Sequence, residues 1–538
     1  MIQDVIKKID EIAANEPDRV VYDYLGETNT YGDLKKRSNA WAHKIASLDI
    51  PEHAPIMIWG GQTFEMIASF LGCVKSGHAY IPIASYSNAE RLTMIQDVSK
   101  SPLVLEIDPL PEVDLTDVKV LKASEVEDGN FEVDEKNFVE GDDNYYIIFT
   151  SGTTGKPKGV QISHDNLLSF VNWELSDFNL PEHPSFLAQA PYSFDLSVMS
   201  LYPALVSAGK LVVLPHDVTQ NFGKLFQTLP KMQFNVWVST PSFAQMCFLD
   251  KTFDAEHHPD LSHFLFCGEE LPHSEAEMLK KKFPDSHIFN TYGPTETTVA
   301  VTQVEITDEV LKKYDRLPIG KVKEDTKITI DTSKGDKPGE GEIIISGPSV
   351  SKGYMNNPEK TEAAFFHEDG AEYRSYRSGD AGFFDGDMLF YRGRIDFQIK
   401  FNGYRIELEE INFYLTKNKF VRYGVAAPKY NKDHTVKQIV AEIELKEGVR
   451  RQYSDAALTK MIREDLAKNI MPYMIPQRFV YQDKLPISQN GKVDIKAVIK
   501  LVVRSKFVYR GKMFRSQNVG EVQPLPFRHL DKADQQYK

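Results

Sequence analysis

YYIIFTSGTTGKPKGV, residues 145–160, joins a strand that is apolar at consecutive positions to a loop of small, hydroxyl and cationic residues. Consecutive apolar residues such as Ile147, Ile148 and Phe149 are typical of a parallel strand covered on both faces. The loop offers hydroxyl donors, glycines that let a ligand approach the backbone, and two lysines. We interpret it as a polyphosphate-binding loop, with a solvated turn as the alternative. Its spacing is not that of a Walker A loop.

Apolar runs that end at small or polar residues also occur on both sides of this stretch. Apolar runs such as APIMIWGG (54–61) and HFLFCGEEL (263–271) alternate with helical patterns, which predicts an α/β sheet with ligands at the strand ends. From about Arg316 the pattern changes to short β-like pieces separated by glycine turns. The predicted fold class is therefore α/β, with a large N-terminal domain of layered α/β sheets plus a small β-barrel, hinged to a small α+β C-terminal domain.

These patterns predict three segments. Residues 1–395 form the large domain, residues 396–496 form a mobile C-terminal domain, and residues 497–538 form an atypical tail. The tail is basic first and then polar with prolines, so we interpret it as a disordered extension. A basic tail that binds an acidic partner or a membrane surface is the alternative.

Composition excludes several classes of protein. The 538-residue chain has a formal net charge of −14, which argues against a nucleic-acid binder. Three widely separated cysteines indicate neither a disulfide framework nor a zinc site. The first 20 residues have the pattern of an amphipathic helix, not a signal peptide, and no apolar run reaches the roughly 20 residues of a membrane span. We expect a cytoplasmic protein without membrane insertion.

Five stretches occur in a fixed order along the chain: TSGTTGKPKG (150–159), FDLSV (194–198), NTYGPTE (290–296), YRSGD (376–380) with GRIDFQIK (393–400), and NGKVD (490–494). In this order and spacing they resemble the adenylate-forming superfamily, which includes acyl-CoA synthetases, luciferases and the adenylation domains of peptide synthetases. The resemblance implies that a carboxylate attacks the α-phosphate of ATP and that pyrophosphate leaves. Preorganised cations and donors must offset the repulsion between the two anions.

The resemblance also implies which residues hold the nucleotide. They are Thr150, Ser151, Gly152, Thr153, Thr154, Lys158, Asn290, Thr291, Tyr292, Gly293, Pro294, Thr295, Asp380, Tyr391, Arg392, Gly393, Arg394 and Lys492. Glu296 corresponds to the Mg²⁺ ligand, and carboxylate oxygen suits this hard cation. The alternative for Glu296 is an acid at a helix N-terminus.

The resemblance implies that Lys492 is a catalytic residue and that Asp396 is a hinge residue, both connected with movement of the C-terminal domain. Lys492 reaches the substrate carboxylate and the α-phosphate, where a surface lysine in a turn is the alternative. Asp396 lies at the superfamily's hinge, about which the C-terminal domain takes one orientation for adenylate formation and another for transfer to a thiol.

Asp195 separates the branches of the superfamily. In amino-acid-activating members this position pairs with the substrate ammonium, which needs a counter-ion once it is desolvated. An N-cap role is the alternative for Asp195. Longer stretches, among them QAPYSFDLSVMSLYPAL and DFQIKFNGYRIELEEI, are most similar to the members that load D-alanine for lipoteichoic acid modification. Cys267 and Val299 would then enclose the substrate methyl group, unless they are ordinary core residues.

The acceptor implied by this resemblance is the phosphopantetheine thiol of a D-alanyl carrier protein. The chain contains no carrier-type serine motif, so the carrier is expected in trans. Basic residues around Lys400 and Arg405 are compatible with docking an acidic carrier. Three other readings stay open: activation of another small amino acid, a small-acid acyl-CoA synthetase with a structural Asp195, and an adenylate-binding regulator without turnover. One departure is Ile495, which follows NGKVD where relatives often have arginine.

Overall fold

The computed structural model describes residues 1–115, 117–152, 156–335, 337–487 and 493–504. Its helices are α1 (Val5–Asn15), α2 (Tyr31–Ala46), α3 (Phe64–Lys75), α4 (Ala89–Ser99), α5 (His164–Asp177), α6 (Val198–Val206), α7 (His216–Thr219), α8 (Phe222–Thr228), α9 (Pro241–Cys247), α10 (His273–Lys282), α11 (Asp308–Lys313), α12 (Pro358–Ala364), α13 (Leu408–Lys417), α14 (Val449–Gln452), α15 (Asp455–Asn469) and α16 (Ile495–Arg504). Its strands up to residue 322 are β1 (Val20–Tyr24), β2 (Glu27–Thr30), β3 (Ile56–Gly60), β4 (Tyr80–Ala84), β5 (Leu103–Glu106), β6 (Lys119–Lys122), β7 (Asn144–Thr150), β8 (Lys158–Ser163), β9 (Ser185–Ala188), β10 (Lys210–Val213), β11 (Val236–Ser239), β12 (His263–Phe266), β13 (His287–Tyr292), β14 (Thr302–Glu305) and β15 (Lys321–Val322).

Two mostly parallel sheets form the bulk of residues 1–322. Nine strands make the first, in the order β15-β14-β13-β12-β11-β9-β10-β1-β2, and six make the second, in the order β6-β5-β3-β4-β7-β8. The central strands are buried on both faces, as in β3, where all five residues are buried. Parallel strands end at the same edge of a sheet, so β12 and β13 bring their following loops to one edge of the first sheet, and β7 ends on the same edge as β4 in the second.

A third sheet follows in the β-rich segment. It contains β16 (Lys327–Asp331), β17 (Gly341–Ser346), β18 (Phe365–Phe366), β19 (Ser375–Asp385) and β20 (Met388–Arg394). All pairs in it are antiparallel. Where a small barrel is expected, the described strands form this five-stranded sheet, which carries Asp380 and Arg394 on two paired strands.

The C-terminal region begins with the hairpin of β21 (Gln398–Phe401) and β22 (Tyr404–Glu407). Asn402 and Gly403 form its turn with φ angles of 50° and 83°, as Asn-Gly hairpin turns require. Beyond it, β23 (Val421–Tyr430), β24 (Val436–Leu445) and β25 (Arg478–Gln482) form a three-stranded sheet. Helices α13 and α15 pack with it into a separate core.

The end of the described chain differs from the expected tail. Helix α16 spans Ile495–Arg504 and contacts β23, so residues 497–504 are helical and the predicted boundary at residue 497 falls inside this helix. Val498 is buried against Val425 and Leu485. Residues 505–538 of the predicted tail lie outside the described residues. Among the helices that the structure describes, none combines the length and the apolarity that a membrane crossing needs.

Aromatic packing joins the C-terminal region to the sheets. Tyr404 stacks on Tyr473 with ring centroids 3.8 Å apart and planes within 7°. Phe194, next to Asp195, meets Tyr404 edge-on at 4.9 Å. Tyr86, which follows β4, packs against the same core. The hairpin β21–β22 is thereby held over the edge where the strands of both sheets end.

Candidate active site

The phosphate loop is described from Thr150 to Gly152, at the end of β7. Thr150 Oγ1 is buried and has no hydrogen-bond partner within the described part of the chain. A Cβ atom at Gly152 would lie 2.0 Å from the Lys156 carbonyl oxygen, so only glycine fits this close approach. Thr153 and Thr154 lie outside the described residues. The orphaned Thr150 hydroxyl and the Gly152 N–H are groups that suit the oxygen atoms of a polyphosphate.

The C-terminal region already occupies two donors of this loop. Ser151 Oγ donates to the Arg405 carbonyl oxygen at 2.9 Å. The Gly152 N–H donates to Glu410 Oε2 at 3.3 Å. Burial raises the pKa of Glu410 to about 7. Both contacts span more than 250 residues of sequence, so they depend entirely on the orientation of the C-terminal region.

Glu296 is fully buried beside the loop and forms an ion pair with Arg405. Its Oε2 accepts from Arg405 Nη1 at 2.6 Å, and its Oε1 accepts from the Tyr354 hydroxyl at 2.8 Å. Burial alone would raise its pKa, but Arg405 and then Lys158 lower the pKa to about 2. Glu296 is therefore an ionised, desolvated carboxylate that requires a cation at all times.

Lys158 supplies a second cation at the same place. Its Nζ lies 3.5 Å from Glu407 Oε1 and 5.1 Å from the centroid of the Tyr354 ring. Desolvation and the neighbouring Arg405 lower the pKa of Lys158. The polyphosphate side of the site thus contains two cations, Lys158 and Arg405, and three carboxyl groups, those of Glu296, Glu407 and Glu410.

The nucleotide side is built from strands β13, β19 and β20. Asp380 is 1% exposed; its Oδ2 accepts from the Tyr292 hydroxyl at 2.7 Å and its Oδ1 pairs with Arg394 at 3.0 Å. The rings of Tyr292 and Tyr391 lie 6.4 Å apart. A carboxylate has about four acceptor positions, so Asp380 can still accept from ribose hydroxyls.

The other residues of the NTYGPTE stretch fix the backbone on the nucleotide side of the site. Asn290 donates to the Pro318 carbonyl oxygen at 2.8 Å, and Thr291 donates to that of Phe266 at 2.8 Å. A Cβ at Gly293 would lie 2.5 Å from the Cα of Ala300, which explains the glycine. Pro294 and Thr295 lead into a 3₁₀ turn at Thr295–Thr297. Arg392 instead pairs with Glu340 at 3.2 Å, and Gly393 has a φ of 121°.

Asp195 begins a 3₁₀ turn before α6 and caps neither that turn nor the helix by a side-chain hydrogen bond. Burial raises its pKa, and its neighbours include Thr295, Glu296, Arg405 and Lys400. The N-cap alternative is therefore not supported. A desolvated carboxylate at this point favours a cationic ligand.

Cys267 and Val299 lie together next to Asp195. Both are buried, and Cys267 Sγ lies 3.6 Å from the Val299 carbonyl oxygen. Asp195 is close enough to influence the pKa of the Cys267 thiol, which burial raises. Thr298 and Val299 have φ angles of 59° and 67°, an uncommon conformation for a β-branched residue. The three predicted substrate residues are thus brought together.

Asp396 connects the β-rich sheet to the C-terminal hairpin. It accepts from Arg394 Nε at 2.9 Å and from Arg394 Nη2 at 2.6 Å, and it accepts from the Gln398 N–H at 3.1 Å. Desolvation opposes ionisation, yet the bond from Arg394 leaves the pKa of Asp396 below its usual value. Its position between two separate sheets is where a hinge is expected.

Lys492 lies outside the described residues. The flanks of this segment are described: Ile487 pairs with Val493, and the Leu485 N–H donates to Glu444 of the C-terminal sheet. Leu485, Val493 and Val498 pack in one small cluster with Val425. The flanks thus belong to the C-terminal region, and that region presents its hairpin β21–β22 to the site.

Several residues at the site were not predicted as such from the sequence. Arg405 was read as a docking residue for an acidic carrier, but its side chain is 17% exposed and faces Glu296. Glu407 and Glu410 were not singled out. Glu269 was also missed: it accepts from the Ser242 N–H at 3.2 Å and from the Gly403 N–H at 2.8 Å, which ties both regions together. One feature of the sequence could have indicated Glu407. Residues two apart on a strand share a face, so Glu407 lies on the same face of β22 as Arg405.

Comparisons with known proteins identify the family of the chain. The AMP-binding enzyme family model matches residues 9–355. The D-alanine–D-alanyl carrier protein ligase of Lactiplantibacillus plantarum is 55% identical over 511 residues, which are 93% of this chain and 99% of that protein. The protein of the same name from Streptococcus agalactiae is 50% identical over 513 residues, covering 93% of this chain and 100% of that protein.

Solved structures share the fold. The o-succinylbenzoate CoA synthetase of Bacillus subtilis superposes with a TM-score of 0.78 at 19% identity, covering 93% of this chain and 98% of that one. The adenylation domain AlmE of Vibrio cholerae, in complex with glycyl-adenosine-5′-phosphate, has a TM-score of 0.76 at 22% identity and the same coverage. At these identities the solved structures are evidence for the fold alone. They confirm the predicted α/β fold class.

Proposed function

We propose, from the premise that this chain belongs to the AMP-binding enzymes and among them to the D-alanine–D-alanyl carrier protein ligases, that it activates D-alanine with ATP to D-alanyl-AMP and pyrophosphate. It then transfers the D-alanyl group to the phosphopantetheine thiol of a D-alanyl carrier protein. The chain is an AMP-forming ligase. The relatives' names supply the choice of D-alanine, and the site supplies the chemical reasons below.

The nucleotide is held by the residues assigned from the motifs. Thr150, Ser151 and Gly152 take the β- and γ-phosphates, as the orphaned Thr150 hydroxyl supports. Asp380 takes the ribose and Tyr292 the adenine. Because Mg²⁺ is commonly bound by one or two carboxylates plus substrate phosphates, the ionised Glu296 fits it. When bound, Mg²⁺ would offset the charge of the phosphates during attack.

The placement of Asp195, a half-buried carboxylate that caps neither the 3₁₀ turn nor α6, beside Cys267 is the single observation that carries the choice of an amino acid. Burial raises its pKa, so an ionised Asp195 needs a cation at close range. The α-ammonium group of D-alanine meets that need, whereas acetate, benzoate and other simple acids offer none. Cys267 and Val299 would then enclose a side chain no larger than methyl. Lys492 then reaches the substrate carboxylate and the α-phosphate.

The remaining steps follow from the proposed reaction. Rotation about Asp396 exchanges the adenylate-forming orientation for the transfer orientation. The carrier protein acts in trans, and the D-alanyl group serves lipoteichoic acid modification in the cell wall. Use of ATP supports a cytoplasmic location.

Amino-acid-dependent exchange of pyrophosphate into ATP tests the proposal. D-Alanine, L-alanine, glycine, acetate and benzoate are compared at equal concentration with Mg²⁺. We expect the fastest exchange with D-alanine. Exchange with acetate or benzoate but with no amino acid would contradict the role of Asp195, and equal exchange with L-alanine would contradict the stereochemical assignment.

A further inference from the structure

Tyr146 is a buried tyrosine whose hydroxyl makes no hydrogen bond among the described residues. It lies on β7, the strand that leads into the phosphate loop, and it is 0% exposed. Its hydroxyl oxygen is buried as well and has no partner in the described part of the chain. A buried hydroxyl without a partner is uncommon, because leaving it unpaired costs free energy. The groups around this hydroxyl therefore indicate what it serves.

The Tyr146 ring belongs to a cluster of buried tyrosines. Tyr146 is the register partner of Tyr80 on β4, and the two ring centroids lie 5.9 Å apart. The hydroxyls of Tyr80 and Tyr202 lie 2.6 Å apart, so those two groups hydrogen-bond to each other. Tyr202 lies on α6, the helix that follows the turn begun by Asp195. The Tyr146 ring is thus one residue away from α6, while its hydroxyl takes no part in the Tyr80–Tyr202 bond.

Asp195 is the carboxylate that lies near this hydroxyl. Burial and Tyr80 raise the pKa of Tyr146, and Asp195 is close enough to raise it further. The other groups that influence Asp195 come from the turn after β13 and from the hairpin β21–β22: Thr295, Glu296, Lys400 and Arg405. Among all these groups, the hydroxyls of Tyr146 and Thr295 are the neutral donors, and both belong to the large domain.

We propose that Tyr146 is a positioning residue for the amino-acid site: its hydroxyl donates, through one ordered water molecule, to the Asp195 carboxylate and so orients it toward the substrate ammonium group. Buried water molecules commonly bridge polar groups that do not reach each other directly. The inference rests on the proposed function for the identity of the ammonium group. It adds a residue that touches neither the amino acid nor the nucleotide.

A neutral donor suits this task better than a cation. A hydrogen bond from a hydroxyl favours the ionised form of a carboxylate and fixes its direction. It leaves the negative charge of Asp195 available to the ammonium group, whereas a second cation at the same carboxylate would compete with the substrate. Groups that act on a ligand are themselves held in place by such supporting hydrogen bonds. The expected consequence is tighter binding of ligands that carry an amine, and of those alone.

Tyr145 is a matched control for Tyr146. It also lies on β7, is 0% exposed and has a buried hydroxyl without a partner among the described residues. The carboxylates that influence its pKa are Asp4 and Asp10 of the N-terminal region. Replacing either tyrosine by phenylalanine removes one oxygen atom and keeps the ring. A difference between the two variants therefore reports the surroundings of the hydroxyl.

Two ligands separate recognition of the amine from the rest of the site. One is a sulfamoyl adenosine that carries a D-alanyl group, and the other carries a propionyl group, which lacks only the amine. Calorimetry gives the dissociation constant of each ligand with the full chain, and the ratio of the two constants is the amine preference. We expect Tyr146→Phe to lower this preference roughly 3- to 10-fold, the size expected for loss of one hydrogen bond, by weakening the D-alanyl ligand alone. Tyr145→Phe should leave both constants unchanged.

The effect should also depend on Asp195. In an Asp195→Asn chain, which offers no carboxylate, the further change Tyr146→Phe should alter the amine preference by less than twofold, as a double-mutant cycle shows for two coupled groups. Thermal unfolding of each variant checks folding. A purely structural role for Tyr146 predicts a different pattern, in which both ligands bind more weakly and the loss is the same with Asp195→Asn.

An unchanged amine preference in a folded Tyr146→Phe chain, or an equal loss of affinity for both ligands, would overturn the inference and leave the proposed function standing. Equal binding of the two ligands by the unchanged chain would contradict the role of Asp195 and would remove both. The ligands report binding alone, so transfer to the carrier does not affect the result.

Discussion

The two sides of the site differ in where their partners come from. On the nucleotide side, Asp380, Tyr292 and Arg394 satisfy one another within residues 290–394. On the polyphosphate side, Glu296 and Ser151 depend on the C-terminal region. The first side is therefore preorganised in any orientation, while the second changes partners during the cycle. Substitutions on the two sides should consequently affect the two half-reactions differently.

Lys492→Ala should have the largest effect on the first half-reaction. Loss of one preorganised charge at the reacting centre is expected to slow pyrophosphate exchange with D-alanine by roughly 10²-fold or more. Transfer from supplied D-alanyl-AMP should change much less. Exchange at the wild-type rate would remove Lys492 from the reacting centre.

Asp396→Pro should separate the half-reactions in the opposite direction. Proline fixes φ and so restricts rotation at the hinge. We expect near-normal pyrophosphate exchange. Transfer should fall by about 10²-fold, because the chain can no longer reach the orientation in which transfer takes place. Rapid-quench assays of each half-reaction measure this, and equal losses in both would contradict the hinge assignment.

Asp380→Asn should weaken both half-reactions together. The change removes the charge that pairs with Arg394 and faces the ribose, and bonds to charged groups contribute about 1.5–3 kcal/mol. We expect a loss of about tenfold or more in apparent ATP affinity and a matching loss in retention of D-alanyl-AMP. An effect on one half-reaction alone would show that the nucleotide side is not shared.

Glu269→Ala should slow transfer only, by several-fold. Glu269 accepts from the Gly403 N–H and so supports the orientation of the C-terminal region seen in this structure, and removal of one charged acceptor costs about 1.5–3 kcal/mol at most. Pyrophosphate exchange should stay within about twofold of the unchanged chain, because ATP binding does not use this contact. Glu447→Ala serves as an exposed acidic control. Slower exchange in Glu269→Ala would place this residue in the first half-reaction.

Acid should favour, by a small factor, docking of the C-terminal region on the phosphate loop, the arrangement in which Glu410 accepts from the Gly152 N–H. Docking buries Glu410 and raises its pKa to about 7, above the ordinary value near 4.3, while Arg91, Lys158 and Glu407 are the charged groups around it. Docking therefore takes up a proton, weakens as the pH rises from about 4.3 to 7, and stays level above that window. Energy transfer between dyes on the variant Glu182→Cys and Lys460→Cys, at side chains 90% and 78% exposed in a chain whose own cysteines are buried, should report several-fold more docking at pH 6 than at pH 8. A Glu410→Gln chain with the same pH profile would contradict this assignment.

The sequence allowed the local parts of the site to be predicted. The strand and the described part of the loop, residues 145–152 and 156–160, follow from the local pattern, whereas the grouping of Glu296, Asp195, Cys267 and Val299 was implied by the resemblance to the adenylate-forming enzymes. Arg405 could not be assigned in this way, because its partner lies 109 residues away and is set by the orientation of another region. Glu410 and Gly152 are 258 residues apart for the same reason.

The most direct test of the account is loading of a purified carrier protein bearing phosphopantetheine, followed by intact-protein mass spectrometry. With ATP, Mg²⁺ and D-alanine, the account predicts one alanyl group on the carrier and none on a carrier that lacks phosphopantetheine. L-Alanine should load poorly. A carrier that stays unloaded while the chain exchanges pyrophosphate with D-alanine, or an alanyl group delivered to free coenzyme A in preference to the carrier, would contradict it.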